Sequence, residues 1–137
     1  MSSTNTKTIL LVEDEESLIL LYKTVFSKHF NVEIASNKKD AEKILVEKYK
    51  KIELILLDVI IPPQKKSSID YSKRTGFELL KIIKADSKYN KLKILILTNL
   101  DSPGDRKTAK ELEADDYIVK SNTLPQDLLA KVTKTLS

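Results

Sequence analysis

Five side chains able to do chemistry stand at the ends of four short aliphatic runs. Glu13 and Asp14 follow "ILLV", Asp58 follows "LILL", Thr98 follows "ILIL", and Lys120 follows "DYIV". Three carboxylates brought together without a cation repel and raise one another's pKa. Their all-oxygen donor set suits Mg²⁺, which keeps several waters and accepts one or two carboxylates plus phosphate oxygens. Lys120 can place a point charge on a phosphoryl oxygen, and Thr98 can donate a hydrogen bond to another. Asp58 is then the nucleophile, since a carboxylate can form an acyl phosphate.

Residues so far apart in sequence meet only if the fold gathers the ends of the runs. Thr8–Glu13, Asn31–Ser36, Ile52–Asp58, Leu92–Thr98 and Asp116–Lys120 are short and rich in β-branched or aliphatic residues, which predicts strands. Three of them are nearly continuous apolar runs, as strands buried on both faces of a parallel sheet must be. The segments between carry helical spacing. Leu18, Leu21, Tyr22, Val25 and Phe26 share one face. Ala41, Ile44, Leu45 and Lys48 repeat the pattern, as do Phe77, Leu79, Leu80, Ile83 and Lys84. Leu124–Leu136 reads as a last helix, with Thr123 as N-cap and Gln126 completing a capping box. Alternating β and α units predict a doubly wound α/β fold, a parallel sheet with helices on both faces. Open sheets of this kind carry functional groups at the carboxyl ends of the strands, where Asp58 falls.

Composition narrows the class. The chain has 137 residues, 41% hydrophobic and 32% charged, which fits a single folded domain rather than a disordered chain. No apolar run approaches the roughly 20 residues of a membrane span, and "MSSTNTK" lacks the apolar core of a secretory signal. Cysteine is absent, so disulfides, thiolate metal sites and cysteine nucleophiles are excluded, in keeping with a cytoplasmic location. The formal charge is +4. The stretch 63–75 holds Lys65, Lys66, Lys73 and Arg74 against the single acid Asp70 and supplies most of that excess. The remainder is nearly balanced, which argues against a general nucleic-acid surface.

Taken in order, "LLVEDEE", "LILLDVIIP", "ILILT" and "ADDYIVK" resemble the receiver domain of two-component response regulators, from about Thr8 to Leu136. The resemblance, to chemotaxis receivers in particular, implies a flavodoxin-like five-stranded sheet of order 2-1-3-4-5. It implies a single domain over 8–137, preceded by a flexible tail, 1–7. It makes Asp58 the phosphoacceptor, with Mg²⁺ held by Glu13, Asp14, Asp58 and the backbone carbonyl of Ile60. Thr98 and Lys120 contact the phosphoryl group, and Tyr117 is the aromatic switch residue whose rotamer follows Thr98. The implied donor is a sensor histidine kinase or a histidine phosphotransfer protein. The implied output is contact with a downstream protein target, through the surface of Ser102–Leu112 and Tyr117–Leu129. After Lys120 the sequence has room for one helix, so a stand-alone receiver is expected, with no direct DNA binding and no membrane insertion. It is not an enzyme beyond its own phosphorylation and dephosphorylation.

The sequence departs from the family pattern at several points. Pro62 to Gly76 is about ten residues longer than the family's usual connection. Two readings of this basic loop are a solvated, mobile loop and a partner contact or basic lid beside the phosphoryl group. Ser121 stands where a proline, joined by a cis peptide, is usual; a cis bond without proline costs about 3–4 kcal/mol, so a trans or strained junction is expected. Asn99 replaces a small residue and can crowd or hydrogen-bond the pocket. Glu113 replaces a turn glycine and must avoid the left-handed region or bear its cost. Ile60 and Leu100 cannot hydrogen-bond a hydrolytic water through their side chains, which predicts slow loss of the phosphoryl group.

Other readings are weaker. A phosphatase of the haloacid-dehalogenase type needs a second Asp two residues after the nucleophile, where this chain has Ile60. His29, the only histidine, fits a favourable cation near a helix end better than a phosphorylation site. The remaining alternative is a receiver-fold interaction module that is not regulated by phosphorylation.

Overall fold

Alternate residues along a buried strand face opposite layers, and here both layers are apolar. In the computed structural model, which describes residues 6–137, the strands are β1 (Thr8–Val12), β2 (Asn31–Ala35), β3 (Ile52–Leu57), β4 (Lys93–Thr98) and β5 (Asp116–Val119). They form one parallel sheet in the order β2-β1-β3-β4-β5, as expected. The helices are α1 (Glu16–Phe26), α2 (Lys38–Lys48), α3 (Thr75–Ala85), α4 (Pro103–Glu111) and α5 (Pro125–Thr135). Leu10, Val12, Ile55, Leu57, Ile94 and Ile96 pack with α2, α3 and Ala109 of α4. Ile9, Leu11, Leu54, Leu56, Leu95 and Leu97 pack on the other side with α1 and α5.

Two expectations are corrected. Leu21 is 42% exposed; α1 buries Tyr22 and Phe26 and turns Leu21 to solvent, because a helix lying on a sheet seals only a narrow stripe. Thr123 does not cap α5. The helix starts at Pro125 after Leu124, and Thr123 Oγ1 donates to Val119 O at 3.0 Å. Proline at the first helical position has its φ preset and no N–H to satisfy, so it sets the start. Glu113 takes the second of its two expected courses: its φ is 65°, in the left-handed region, at a cost of about 1 kcal/mol. The Lys120–Ser121 peptide is trans, which answers the question raised by Ser121.

Of the expected tail 1–7, residues 1–5 lie outside the described residues. Lys7 is tied down: its carbonyl accepts from Asn31 N at 2.9 Å, and its Nζ donates to the Leu136 carbonyl.

Candidate functional site

The sheet ladder runs one residue past two strands and so places two carboxylates. Glu13 N donates to Ala35 O at 3.0 Å, and Asp58 N donates to Val12 O at 3.1 Å. Both side chains leave the carboxyl edge of the sheet side by side. Thr98 is the last residue of β4 and Lys120 follows β5, so all four meet at one edge. A cleft of about 490 Å³ there is lined by Glu13, Asp14, Asp58, Thr98 and Lys120, together with Ile60 and Leu100. All five chemically able residues singled out in the sequence are therefore brought together. His29 lies outside this cleft.

Lys120 Nζ is 2.6 Å from Glu13 Oε1 and 2.6 Å from Asp58 Oδ2, with both carboxylates buried. Glu13 Oε2 accepts from the backbone N–H groups of Asp14 and Glu15, each at 3.1 Å. Asp58 Oδ1 accepts from Ile60 N at 3.3 Å. Burial and then the charge of Asp58 push the Glu13 carboxyl above the usual range, against the pull of Lys120. Burial is also the main cause of a raised Asp14, with Asp58 adding to it. For Lys120, burial alone favours the neutral amine; the charges and hydrogen bonds of Asp58 and Glu13 outweigh it and hold the ammonium above its ordinary value.

Carboxyl oxygens of Glu13, Asp14 and Asp58 lie within 4.8 Å of one another. Three hard oxygen donors, with the Glu13 and Asp14 carboxyls raised, fit a divalent cation such as Mg²⁺. Because Glu13 already uses one oxygen for Lys120 and the other for two amides, Asp14 and Asp58 have more capacity for direct coordination.

Gly76 makes the backbone path possible. A Cβ there would stand 2.1 Å from Asp58 O and 2.7 Å from Val59 Cα, while its N–H donates to Val59 O at 2.8 Å. Only glycine lets α3 start against the backbone that carries Asp58.

Tyr117 bridges to the loop after β4: its hydroxyl donates to Leu100 O at 2.7 Å, and the Arg106 guanidinium lies 4.9 Å from its ring centroid. Burial, then Asp105, pushes its hydroxyl up to about 12. Asn99 does more than line the cleft, because its Oδ1 accepts from Ser121 N at 2.9 Å. The two departures from the family pattern are thus partners, since a proline at position 121 would have no N–H for Asn99 to accept.

Sequence reasoning missed Ile69 and Tyr71, which reach the cleft from the long loop, and the ion pair between Arg74 Nε and Asp105 Oδ1 at 2.9 Å. Two apolar side chains in a polar stretch were the only signal. The lysines of that loop, Lys65, Lys66 and Lys73, are exposed and do not line the cleft, which goes against the basic-lid alternative among the readings of this loop.

Comparison with known proteins finds receiver-domain proteins. The chain is 32% identical over 134 residues to the chemotaxis protein CheV2 of Helicobacter pylori, spanning 96% of this chain and 39% of that protein. It is 31% identical to the transcriptional regulatory protein GltR of Pseudomonas aeruginosa, spanning 98% of this chain and 50% of the relative. The chain therefore spans half or less of these relatives' length. Among solved structures, a CheY-like receiver domain protein of Methanospirillum hungatei superposes with a TM-score of 0.77 at 26% identity, covering 96% and 94% of the two chains. Vibrio cholerae chemotaxis protein CheY4 gives 0.75 at 26% identity, covering 94% of this chain and 98% of that one. Residues 9–133 match the response regulator receiver domain family, and the chain belongs to that family.

Proposed function

We propose that Asp58 accepts a phosphoryl group from a phosphohistidine on a sensor kinase or phosphotransfer protein. The observation that carries this is the pair of 2.6 Å contacts from Lys120 to Asp58 and Glu13 in a cleft open to solvent. An Asp58 oxygen attacks phosphorus, the phosphorus–nitrogen bond breaks, and the imidazole, protonated on its other ring nitrogen, leaves neutral with the electron pair. The Ile60 N–H orients Asp58 through its other oxygen. Lys120, held at the cleft by Glu13, supplies positive charge to the arriving phosphoryl oxygens, and the Thr98 hydroxyl is placed to donate to one of them. Asp14 and Asp58, the Ile60 carbonyl, and Glu13 directly or through water would hold Mg²⁺, which when bound neutralises charge on the phosphoryl oxygens.

The signal then passes to a protein partner. Tyr117 and the loop after β4 connect the cleft to the surface formed by α4, β5 and α5, and rearrangement of that connection is the proposed output. The family setting supports a cytoplasmic location, and no helix among the described residues is long and apolar enough to cross a membrane.

Incubation with acetyl phosphate and Mg²⁺, followed by intact mass, tests the reading. The wild type should gain one phosphoryl group and Asp58→Asn none. In the same assay, chelation of the metal or Asp14→Ala should slow uptake sharply. A folded wild type that gains no mass would favour an interaction module not regulated by phosphorylation.

A further inference from the structure

The long loop between β3 and α3 is pinned at both ends. The carbonyls of Pro62 and Pro63 each accept at 3.0 Å from the N–H groups of Lys38 and Lys39, which begin α2. At the far end, Gly76 N holds Val59 O. Between these pins the loop brings Ile69 and Tyr71 to the lining of the cleft, where they join Ile60 and Leu100. A charged floor therefore has an apolar rim, half of it built by the loop. Tyr71 is 72% exposed, so its ring borders the opening and is not part of the core.

Arg74 fastens this rim to α4. Its Nη1 donates to Tyr71 O at 3.1 Å, and its Nε donates to Asp105 Oδ1 at 2.9 Å. Asp105 is part of the cap of α4: Ser102 Oγ accepts from Asp105 N at 3.0 Å and donates to Asp105 Oδ2 at 2.8 Å. The Arg74 hydrogen bond holds the Asp105 carboxyl below its usual range, with Ser102 adding to it, so the pair stays ionised near neutral pH.

We infer that Ile69 and Tyr71 form a water-restricting rim over the phosphoryl group on Asp58, and that Arg74–Asp105 is the latch that holds the rim to α4. This rests on Asp58 being the phosphoacceptor. The restricted step is hydrolysis. A water oxygen attacks phosphorus, the bond between phosphorus and the Asp58 oxygen breaks, and the carboxylate leaves with the electron pair. Both water protons remain on the dihydrogen phosphate released. Ile60, Leu100 and Ile69 have no side-chain group to orient that water, and their apolar surface disfavours its residence. Because the latch ends on the cap of α4, movement of the output surface and opening of the rim are mechanically linked.

The test phosphorylates the full chain with phosphoramidate and Mg²⁺, removes the donor, and follows decay by intact mass. The double variant Ile69→Ser, Tyr71→Ser should lose its phosphoryl group about fivefold faster than wild type. Arg74→Ala should shift decay in the same direction. Arg74→Lys, which lacks the forked geometry, should restore little of the wild-type lifetime. Tyr71→Phe should keep slow decay, because it keeps the ring. Thermal unfolding of each variant checks that the domain stays folded; both rim side chains lie outside the buried core. Normal uptake with unchanged decay in the double variant overturns the rim. Unchanged decay in Arg74→Ala overturns the latch. Failure of the Asp58 reading looks different, since wild type then gains no mass at all.

Discussion

At the amino ends of the strands a cleft of about 780 Å³ is edged by Lys50, Lys88, Lys91 and Lys93. At the carboxyl ends a smaller one, about 490 Å³, holds Glu13, Asp14, Asp58 and Lys120. Both are charged, and the larger has the weaker claim to chemistry. Its lysines are exposed, and Lys88 is paired with Asp86 at 3.1 Å at the surface, where such pairs contribute little. At the carboxyl end, Lys120 and its two carboxylates are each at most 8% exposed, and the carboxylates hold the ammonium above its ordinary value. Convergence of buried charge, and not cleft size, distinguishes a reactive site from a solvated edge.

Substituting one lysine at each end tests this contrast most severely. Lys120→Ala leaves Glu13, Asp14 and Asp58 without their cation and should destabilise the fold by about 3 kcal/mol, the low end for a broken buried pair because the cleft is open to water. It should also nearly abolish phosphoryl uptake. Lys88→Ala should change neither denaturant midpoint nor uptake. Equal effects at the two ends would remove the distinction.

Gly76→Ala asks whether the site depends on its backbone as well as its charges. The added Cβ overlaps the Asp58 carbonyl, so we expect about 3 kcal/mol of destabilisation and reduced uptake in the fraction that folds. Chemical denaturation and intact mass read the two effects separately.

The Arg74–Asp105 pair extends the comparison to pH. The folded pKa of Asp105 is lowered, chiefly by the Arg74 hydrogen bond, so its stabilisation is fully present above the ordinary value of 3.8 and is lost as pH falls below it. Asp105→Asn should therefore be less stable than wild type near pH 7, by about 1 kcal/mol given that Arg74 is partly solvated. The difference should shrink as pH falls below 3.8 and disappear once pH is below the lowered folded pKa. Stability curves of the two proteins against pH check this.

The smallest effect belongs to the amino end. Glu113→Gly relieves a left-handed non-glycine residue in the turn leading to β5. It should raise stability by about 0.5 kcal/mol while leaving phosphoryl uptake unchanged, measured by thermal melts and intact mass.

Most of the site was legible because its signals are local. Glu13, Asp58 and Lys120 each break an aliphatic run at its carboxyl end, and that alone assigns a strand and a polar edge. The parallel sheet follows from alternation of the runs, and its strand order from resemblance. Helix faces were read less well: Leu21 matches the spacing of Tyr22 and Phe26, yet the breadth of a buried stripe depends on what packs against it. Thr123 met the capping pattern, but Pro125 offered a later start at lower cost.

By itself, then, the sequence determined which residues are strand-bound and which carboxylates, hydroxyl and amine share one edge, since periodicity and run length are properties of neighbours along the chain. Only the tertiary structure decided that Ile69 and Tyr71 border the cleft, that Asn99 accepts from Ser121, and that Arg74 reaches Asp105. Those contacts join residues that no local pattern relates. They depend on where a long loop lies once both its ends are pinned, and that is settled by packing and hydrogen bonding across the folded molecule.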